Sequence, residues 1–424
     1  MNNFIKKIDW LSILLYFLLV FIGWLNIYST TYTGVETIFD LSTFHGKQML
    51  FIIVSLVLII LILSIEAKFY ERFSGVIYLI SFLSLVGLFI FGKEVNGARA
   101  WYSFGSFGLQ PAEFAKAATA LALAKYLSDI QTNIHNFKDL FKAFLIICVP
   151  ALIILPQPDP GSTLVYTAFF FVLYREGLPV IYLMIGFFTI MVFIATLMYG
   201  TIWVFIGSIT LLMLIYYFSK KKRKKISIFQ SILILIATTA FSYSVDFIYN
   251  NVFQQHHRNR FSLWLRLEDD PAKLEQIRKT IGYNTYQSES AIGSGGFIGK
   301  GFLEGTRTKG NFVPEQHSDY IFSTIGEEWG FVGSSLVVIL FALLILRLIV
   351  VAERQKSAFS RIYGYSVASI IFFHFFINIG MVIGLLPTIG IPLPFISYGG
   401  SGLLGFTTLL FIFLKLDANR INVW

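Results

Sequence analysis

The chain has 424 residues, of which 56% are hydrophobic and 13% charged, with a mean hydropathy of +0.72 and a formal net charge of +9. A soluble globular domain carries about 25% charged residues, so this composition excludes one and points to a polytopic membrane protein. In such a chain Lys and Arg gather in cytoplasmic loops and report topology, so the positive charge is no argument for nucleic acid.

Lys6 and Lys7 precede a first apolar run that is long enough to span and lacks the small-residue cleavage pattern of a signal peptide. Twelve stretches could cross a bilayer: 10–29, 48–65, 75–92, 111–128, 140–157, 161–175, 178–199, 202–219, 228–249, 320–350, 361–386 and 400–416. The sixth is short and is expected to be tilted or broken. The predicted fold class is an all-α polytopic membrane protein of about twelve transmembrane helices. Cys148, the single cysteine, lies in the fifth stretch and is expected to be a buried, inert thiol with no disulfide partner.

With the N-terminus taken as cytoplasmic, the inside loops hold Lys68, Arg72, Lys138, Arg175, the run Lys220 to Lys225, Arg354 and Lys356, and the C-terminal end holds Lys415 and Arg420. The short outside loops hold only Lys47, Lys93 and Arg99. This is the positive-inside pattern. The run "KKKRKK" reads first as a topology anchor, and alternatively as a patch for lipid headgroups or protein.

Residues 251–318 form a long polar loop, external in this topology. Its aromatic content is too high for a disordered tail, so an ordered loop with short helices is expected. Three other outer segments join it: "NGARAWYSFGSFGLQPAEFAK" (96–116), "PQPDPGST" (156–163) and "GLLPTIGIPLPFISYGGSG" (384–402). Pro387, Pro392 and Pro394 forbid a regular helix in the last. Non-helical backbone at membrane depth needs protein or a water-filled cavity around it. Four polar elements therefore gather on one face.

Their side chains permit structural and functional readings side by side. Glu113 and Lys116 are three apart on a predicted helix, and either pair with each other or line a site. Trp101 is an interfacial anchor or a site residue, and Asp159 caps a helix or joins the site. In "HHRNRFSLWLRLEDDP" (256–271), Arg258, Arg260 and Arg266 precede Glu268, Asp269 and Asp270. Guanidinium groups suit phosphate and a carboxylate suits proton abstraction, although the same residues could form a solvated salt-bridge cluster. His256, His257 and His317 match no zinc spacing. "IGSGGFIGKG" (292–301) has glycines but no βαβ context, which rejects a nucleotide loop in favour of a turn presenting Lys300. "PEQHSDYIF" places Glu315, His317 and Asp319 where the loop re-enters the membrane. Ser397 sits in the proline-rich segment beside them.

These stretches, with "QPDPGST", "HRNRF", "QSESAIGSGGFIGKGFLEGTRT" and "FVPEQHSDYIFSTIGEEWGFVG", are collinear and resemble the SEDS family, its RodA/FtsW group. "IGSGGFIGKG" and "GIPLPFISYGG" are closer to the RodA elongation branch. The resemblance implies a single transmembrane domain over 1–424 with 251–318 as its large outer loop. It implies an inverting peptidoglycan glycosyltransferase that polymerises lipid II on the outer face of the cytoplasmic membrane. The implied partners are a class B penicillin-binding protein, the elongation machinery and membrane lipids. No cofactor is required by the resemblance, although a divalent cation, Mg or Mn, could assist. The family's acidic residue maps to Asp270, with Asp269 adjacent, and its basic pair maps to Arg258 and Arg260. Lys116 and Lys300 are further candidates for contact with the pyrophosphate. Glu113, Trp101, Asp159, Glu315, His317, Asp319 and Ser397 are expected to line the substrate pocket. The chain departs from the family in the insertion "AKLEQIRKTI" after Pro271 and in two additional crossings, 178–219, beyond the family's usual ten. The alternative function from another class is a flippase for the same lipid-linked precursor. Segregation of the polar motifs to one face, and the lack of an evident inverted repeat, argue against it.

Overall fold

The computed structural model describes residues 7–32, 37, 39–95, 97–105, 107–221, 228–253, 255–265, 267, 270, 275–276, 279–280 and 282–420. Arg266, Glu268, Asp269, part of the insertion and Lys222 to Lys225 of the basic run lie outside them. The chain divides into two compact units, Met1–Leu178 with Asn284–Trp424, and Pro179–Tyr283.

The first unit is helical. Helices α1 (Trp10–Thr31), α2 (Phe44–Ser64), α3 (Ala67–Arg72) and α4 (Ser74–Phe91) lead to α5 (Pro111–Leu127) and α6 (Phe137–Ile154). The sixth apolar stretch is broken, as expected: α7 (Pro160–Val165) passes through a 3-10 turn at Tyr166–Ala168 into α8 (Phe169–Arg175). Polar side chains set several starts. Asp9 accepts from the Ser12 amide at 3.1 Å, Thr43 from the Gly46 amide at 3.2 Å, and Asp159 from the Ser162 amide at 2.9 Å. The fold departs from an all-α reading in one place. Residues between α4 and α5 form a three-stranded antiparallel sheet of β1 (Lys93–Val95), β2 (Ala98–Phe104) and β3 (Phe107–Leu109). Gly97 and Gly105, both at positive φ, permit its tight turns.

The second unit packs α9 (Val180–Tyr199), α10 (Thr201–Lys221) and α11 (Ile228–Phe247) together, followed by α12 (Gln255–Leu265). A buried hydroxyl pair, Thr196 and Ser242 at 2.8 Å, joins α9 to α11. Phe261 of α12 stacks on Phe253 at 5.9 Å. The first unit then resumes with α13 (Tyr283–Gly295), α14 (Thr306–Lys309), α15 (Ile321–Glu353), α16 (Ala358–Val382) and α17 (Gly400–Ala418). The long loop thus carries short helices, as its composition implied.

Among the described residues, nine helices are long and apolar enough to cross a membrane. All twelve predicted stretches are helical. The three outside that count are α5, which is 17 residues long, α6, which opens on Lys138, Asp139 and Lys142, and the broken α7–α8. Cys148 is exposed on α6 rather than buried. In a membrane protein an apolar residue can face lipid as readily as the interior. Helix α5 contacts α4, α6, α16 and α17, and its alanines allow those approaches.

The helix ends are laced by charge. At one end Arg347 donates to both oxygens of Asp9, and Asp417 accepts from Arg354, Gln355 and Arg420. At the opposite end of α1, the Gln316 amide reaches the Thr30 carbonyl at 3.5 Å. Residues 317–319 follow directly at that second end.

Candidate active site

The proline-rich segment 384–399 runs between α16 and α17 without regular structure, so its backbone groups need other partners. Residues 317–319 supply one of them, for the Tyr398 amide, and are themselves held by side chains. Three consecutive carbonyls are held: His317 O accepts from the Tyr398 amide at 2.9 Å, Ser318 O from the Ser397 hydroxyl at 2.8 Å, and Asp319 O from the Asn378 side-chain amide at 2.8 Å. Asn378 also donates to Ile391 O, and the Ser397 hydroxyl accepts from the Leu393 amide. The His317 ring stacks on Phe44 with centroids 4.2 Å apart. Burial lowers its pKa, against the opposing pull of Glu315. Next in the chain, the Tyr320 hydroxyl joins those of Thr285 and Thr388 in a mutual ring at 2.9 to 3.2 Å. Residues 317–320 are therefore fixed to α13, α16 and the re-entrant segment together.

Three carboxyl groups act on one another here. Glu315 accepts from the Ser318 hydroxyl at 2.7 Å. Asp159 caps α7 with one oxygen and accepts from the Gln110 amide at 2.9 Å with the other. Asp319 retains partial solvent contact, and burial, aided by Glu315 and Asp159, pushes its carboxyl up to about 7. Gly390, at φ +79°, faces it; a Cβ there would stand 3.2 Å from Asp319 Oδ2.

Glu113 and Lys116 form a pair: the ammonium donates to both carboxylate oxygens at 2.8 Å. Both residues are almost fully buried. The third proton of Lys116 points to His374 Nε2 at 2.9 Å, while His374 Nδ1 meets Pro392 O at 3.2 Å. Since a carbonyl only accepts, Nδ1 carries the ring proton and Nε2 accepts. The pair is thereby tied to the re-entrant segment. Phe406 covers the ammonium at 5.0 Å.

A second cradle surrounds Glu327. Its carboxylate accepts from Lys300 Nζ at 2.7 Å, the Arg307 and Thr308 amides at 2.9 Å each, and the Thr308 and Thr306 hydroxyls. Lys300 is the turn-presented cation of the glycine motif. The turn itself fills a break in α15 at Gly330, where φ is +63°. The amides of Lys300 and Gly301 donate to the freed carbonyls of Glu327 and Glu328, and those of Phe331 and Val332 donate to Gly296 and Phe297. The glycines of "IGSGGFIGKG" serve this close approach: a Cβ on Gly330 would lie 2.3 Å from the Gly299 amide nitrogen. Beside this cradle, the buried Glu328 accepts a short hydrogen bond from Ser29.

The structure therefore brings Glu315, His317, Asp319, Ser397 and Asp159 together, and puts Glu113 and Lys116 beneath the same segment. Trp101 lies in β2, half-buried, with its ring against Gly108. Arg258 and Arg260 lie half-buried on α12 of the second unit, and Asp270 of that unit is exposed. Arg258 Nε is buried without a hydrogen-bond partner among the described residues, while its carbonyl accepts from the Tyr249 hydroxyl. Asp269 lies outside the described residues. No group of three or more His, Cys, Asp or Glu among the described residues is placed to hold a metal ion. Sequence reasoning missed His374, Asn378 and the Thr285–Tyr320–Thr388 ring. His374 and Asn378 stand one turn apart in an otherwise apolar run, and that spacing was the available signal.

The profile of the FtsW/RodA/SpoVE family of cell cycle proteins matches residues 9–230 and 199–422. Similar proteins include the peptidoglycan glycosyltransferase RodA of Treponema pallidum (strain Nichols), 30% identical over 94% of this chain and 95% of its own. The peptidoglycan glycosyltransferase MrdB of Escherichia coli (strain K12) is 31% identical over 83% of this chain and 80% of its own. One solved chain, described under "Structural coordination of polymerization and crosslinking by a peptidoglycan synthase complex", superposes with a TM-score of 0.72 at 25% identity, covering 98% of this chain and 99% of its own. The rod shape determining protein RodA of Thermus thermophilus shares the fold, with a TM-score of 0.63 at 23% identity over 97% of each chain. With its broken sixth helix, its clamped His-Ser-Asp tripeptide and matches along nearly its whole length, this chain belongs to the FtsW/RodA/SpoVE family.

Proposed function

We propose that the chain is a peptidoglycan glycosyltransferase of the elongation type that polymerises lipid II. Membership in a family whose relatives carry that activity in their names supports the reaction class. The single structural observation that carries the reading is the clamped tripeptide 317–319, which sets Asp319 beside the re-entrant segment together with Glu315 and Asp159. Backbone this irregular among membrane helices is tolerated only against protein or a water-filled cavity, which is compatible with a site for a polar ligand.

In this reading both termini are cytoplasmic and the pocket opens outside, as the positive-inside pattern requires. The acceptor sugar hydroxyl attacks the anomeric carbon of the donor with inversion, and the lipid pyrophosphate leaves. Asp270 is assigned the general base on its motif position. Arg258 and Arg260 are assigned to the developing pyrophosphate charge, the electrostatic contribution that usually dominates such catalysis. Lys116 and Lys300 serve chiefly as structural cations, because each already has a carboxylate partner. A class B penicillin-binding protein would cross-link the emerging strand. The solved relative described as part of a peptidoglycan synthase complex supports a partner of this kind.

The test is incubation of the purified chain with lipid II in detergent, alone and with its transpeptidase. Glycan strands are expected from wild type, with a loss of about 100-fold or more in Asp270→Asn. Translocation of the lipid in vesicles with no glycan formed would replace this reading with the flippase. Full polymerisation by Asp270→Asn would remove Asp270 from the base role.

A further inference from the structure

We propose that Asp319 is the proton donor to the departing pyrophosphate. This rests on the glycosyltransferase reading and adds a proton donor for its leaving group. When the bond between the anomeric carbon and the phosphate oxygen breaks, that oxygen takes the electron pair. The proton of Asp319 passes to it, the base holds the proton of the attacking hydroxyl, and both groups return to their starting states by exchange with solvent. Atoms and charge balance without a further reactant.

Three carboxyls act on one another here, and hydrogen bonds commit two of them. Glu315 is bound by the Ser318 hydroxyl, and both oxygens of Asp159 are occupied by the Ser162 amide and the Gln110 side chain. For Asp319 only the main chain is held, through its carbonyl, and among the described residues its carboxyl forms no ion pair. The clamp on 317–319 uses main-chain oxygens throughout, so it fixes where the side chain stands while leaving it available. On one side it meets Gly390, which offers only a hydrogen where a Cβ would stand 3.2 Å from Oδ2.

Charge points the same way. Among the described residues no cation contributes to the proton affinity of Asp319, although α2, whose Phe44 stacks on His317, carries Lys47 and the buried His45. The re-entrant segment contributes no ionisable group except Tyr398, whose hydroxyl burial keeps protonated at neutral pH. Helix α7 contributes Asp159, and its own loop contributes Glu315 and His317. Burial lowers the proton affinity of His317, which Glu315 opposes. Helix α13 contributes Glu289, which lies against Gly384. On α5 and α16, Lys116 is committed to Glu113 and His374. Asp319 thus faces two carboxylates with no compensating cation among the described residues, the arrangement that makes a carboxyl keep its proton near neutrality. A terminal phosphate has a second pKa of about 6, so a donor near 7 is matched to it.

The folded-state pKa lies above the ordinary carboxylate value, so the acid form is present below about 7 and is lost as pH rises through it. Polymerisation should fall by about tenfold per pH unit on the basic side. Rates are measured with lipid II from about pH 5.5 to about pH 8.5 for wild type, Asp319→Asn, Asp319→Glu and Glu315→Gln. In Asp319→Asn, kcat is expected to drop about 100-fold or more, with KM within about threefold and the basic limb abolished. Asp319→Glu should recover part of kcat with a displaced limb, and Glu315→Gln should move the limb to lower pH, because one of the two carboxylates that raise Asp319 is then neutral. Elution as a monodisperse peak and retained lipid II binding separate a chemical loss from misfolding, since the clamp does not use the substituted atoms. A basic limb unchanged in Asp319→Asn, or kcat within about fivefold of wild type, overturns the proposal. Absence of polymerisation by wild type overturns the glycosyltransferase reading instead.

Discussion

Replacing Lys116 by Met removes a cation that is 1% exposed and has no water to replace it. Three hydrogen bonds vanish: two to Glu113 at 2.8 Å and one to His374 at 2.9 Å. Glu113, 4% exposed, is left as an unpaired buried carboxylate. Breaking a buried pair from one side costs about 3–5 kcal/mol, and the orphaned His374 acceptor adds about 1 kcal/mol. Hydrogen bonds between membrane helices average nearer ~0.6 kcal/mol, which favours the lower end, so roughly 3–4 kcal/mol is expected for Lys116→Met. The double variant Lys116→Met with Glu113→Leu removes the stranded charge and leaves only the histidine acceptor unsatisfied. It should recover at least about 2 kcal/mol of that loss, because replacing both members of a buried ion pair by apolar residues is often near neutral. Stability is followed by SDS titration in mixed micelles with tryptophan fluorescence as the signal. If the single variant unfolds within about 1 kcal/mol of wild type, or if the double is no more stable than the single, the pair is not a buried staple.

Other outcomes follow from the same geometry. Glu327→Ala strands the Arg307 and Thr308 amides and the Lys300 ammonium; since Lys300 is 25% exposed and can turn to water, about 3–4 kcal/mol is expected, measured by the same titration. Gly330→Ala puts a methyl 2.3 Å from the Gly299 amide at a left-handed φ, so the 296–301 turn should detach and tryptic cleavage after Lys300 should accelerate several-fold. Unchanged cleavage would show that the turn is not held by the helix break. At the opposite end, burial alone would raise the pKa of Asp9, but its hydrogen bonds to Arg347 and Ser12 prevail and the value is lowered. That contribution is present above the unfolded value of 3.8 and is lost as pH falls below it. The stability gap between wild type and Arg347→Ala should therefore narrow between about pH 5 and about pH 3, and a constant gap would argue against the linkage.

Much of this protein was written locally. Apolar run lengths set the helices, and the shortness of the sixth stretch announced its break, because helix formation depends on neighbours in sequence. The prolines of 384–399 likewise forbade a helix there. The glycines of 292–301 signalled a special turn, but not that it would plug a gap in α15, a contact with residues some thirty positions away. The charge pattern offered Glu113 and Lys116 as partners or as site residues. Tertiary packing settled the geometry by enclosing both and adding His374 from 258 positions along the chain. The clamp on residues 317–319, and the proton affinity of Asp319 that follows from it, were not legible at all. A carboxyl's behaviour depends on which charges and dipoles surround it after folding, and Asp159 and Glu315 reach Asp319 only once α7, the outer loop and the re-entrant segment have packed together. Sequence specifies which groups are present and where helices can form; desolvation and long-range juxtaposition decide what those groups can do.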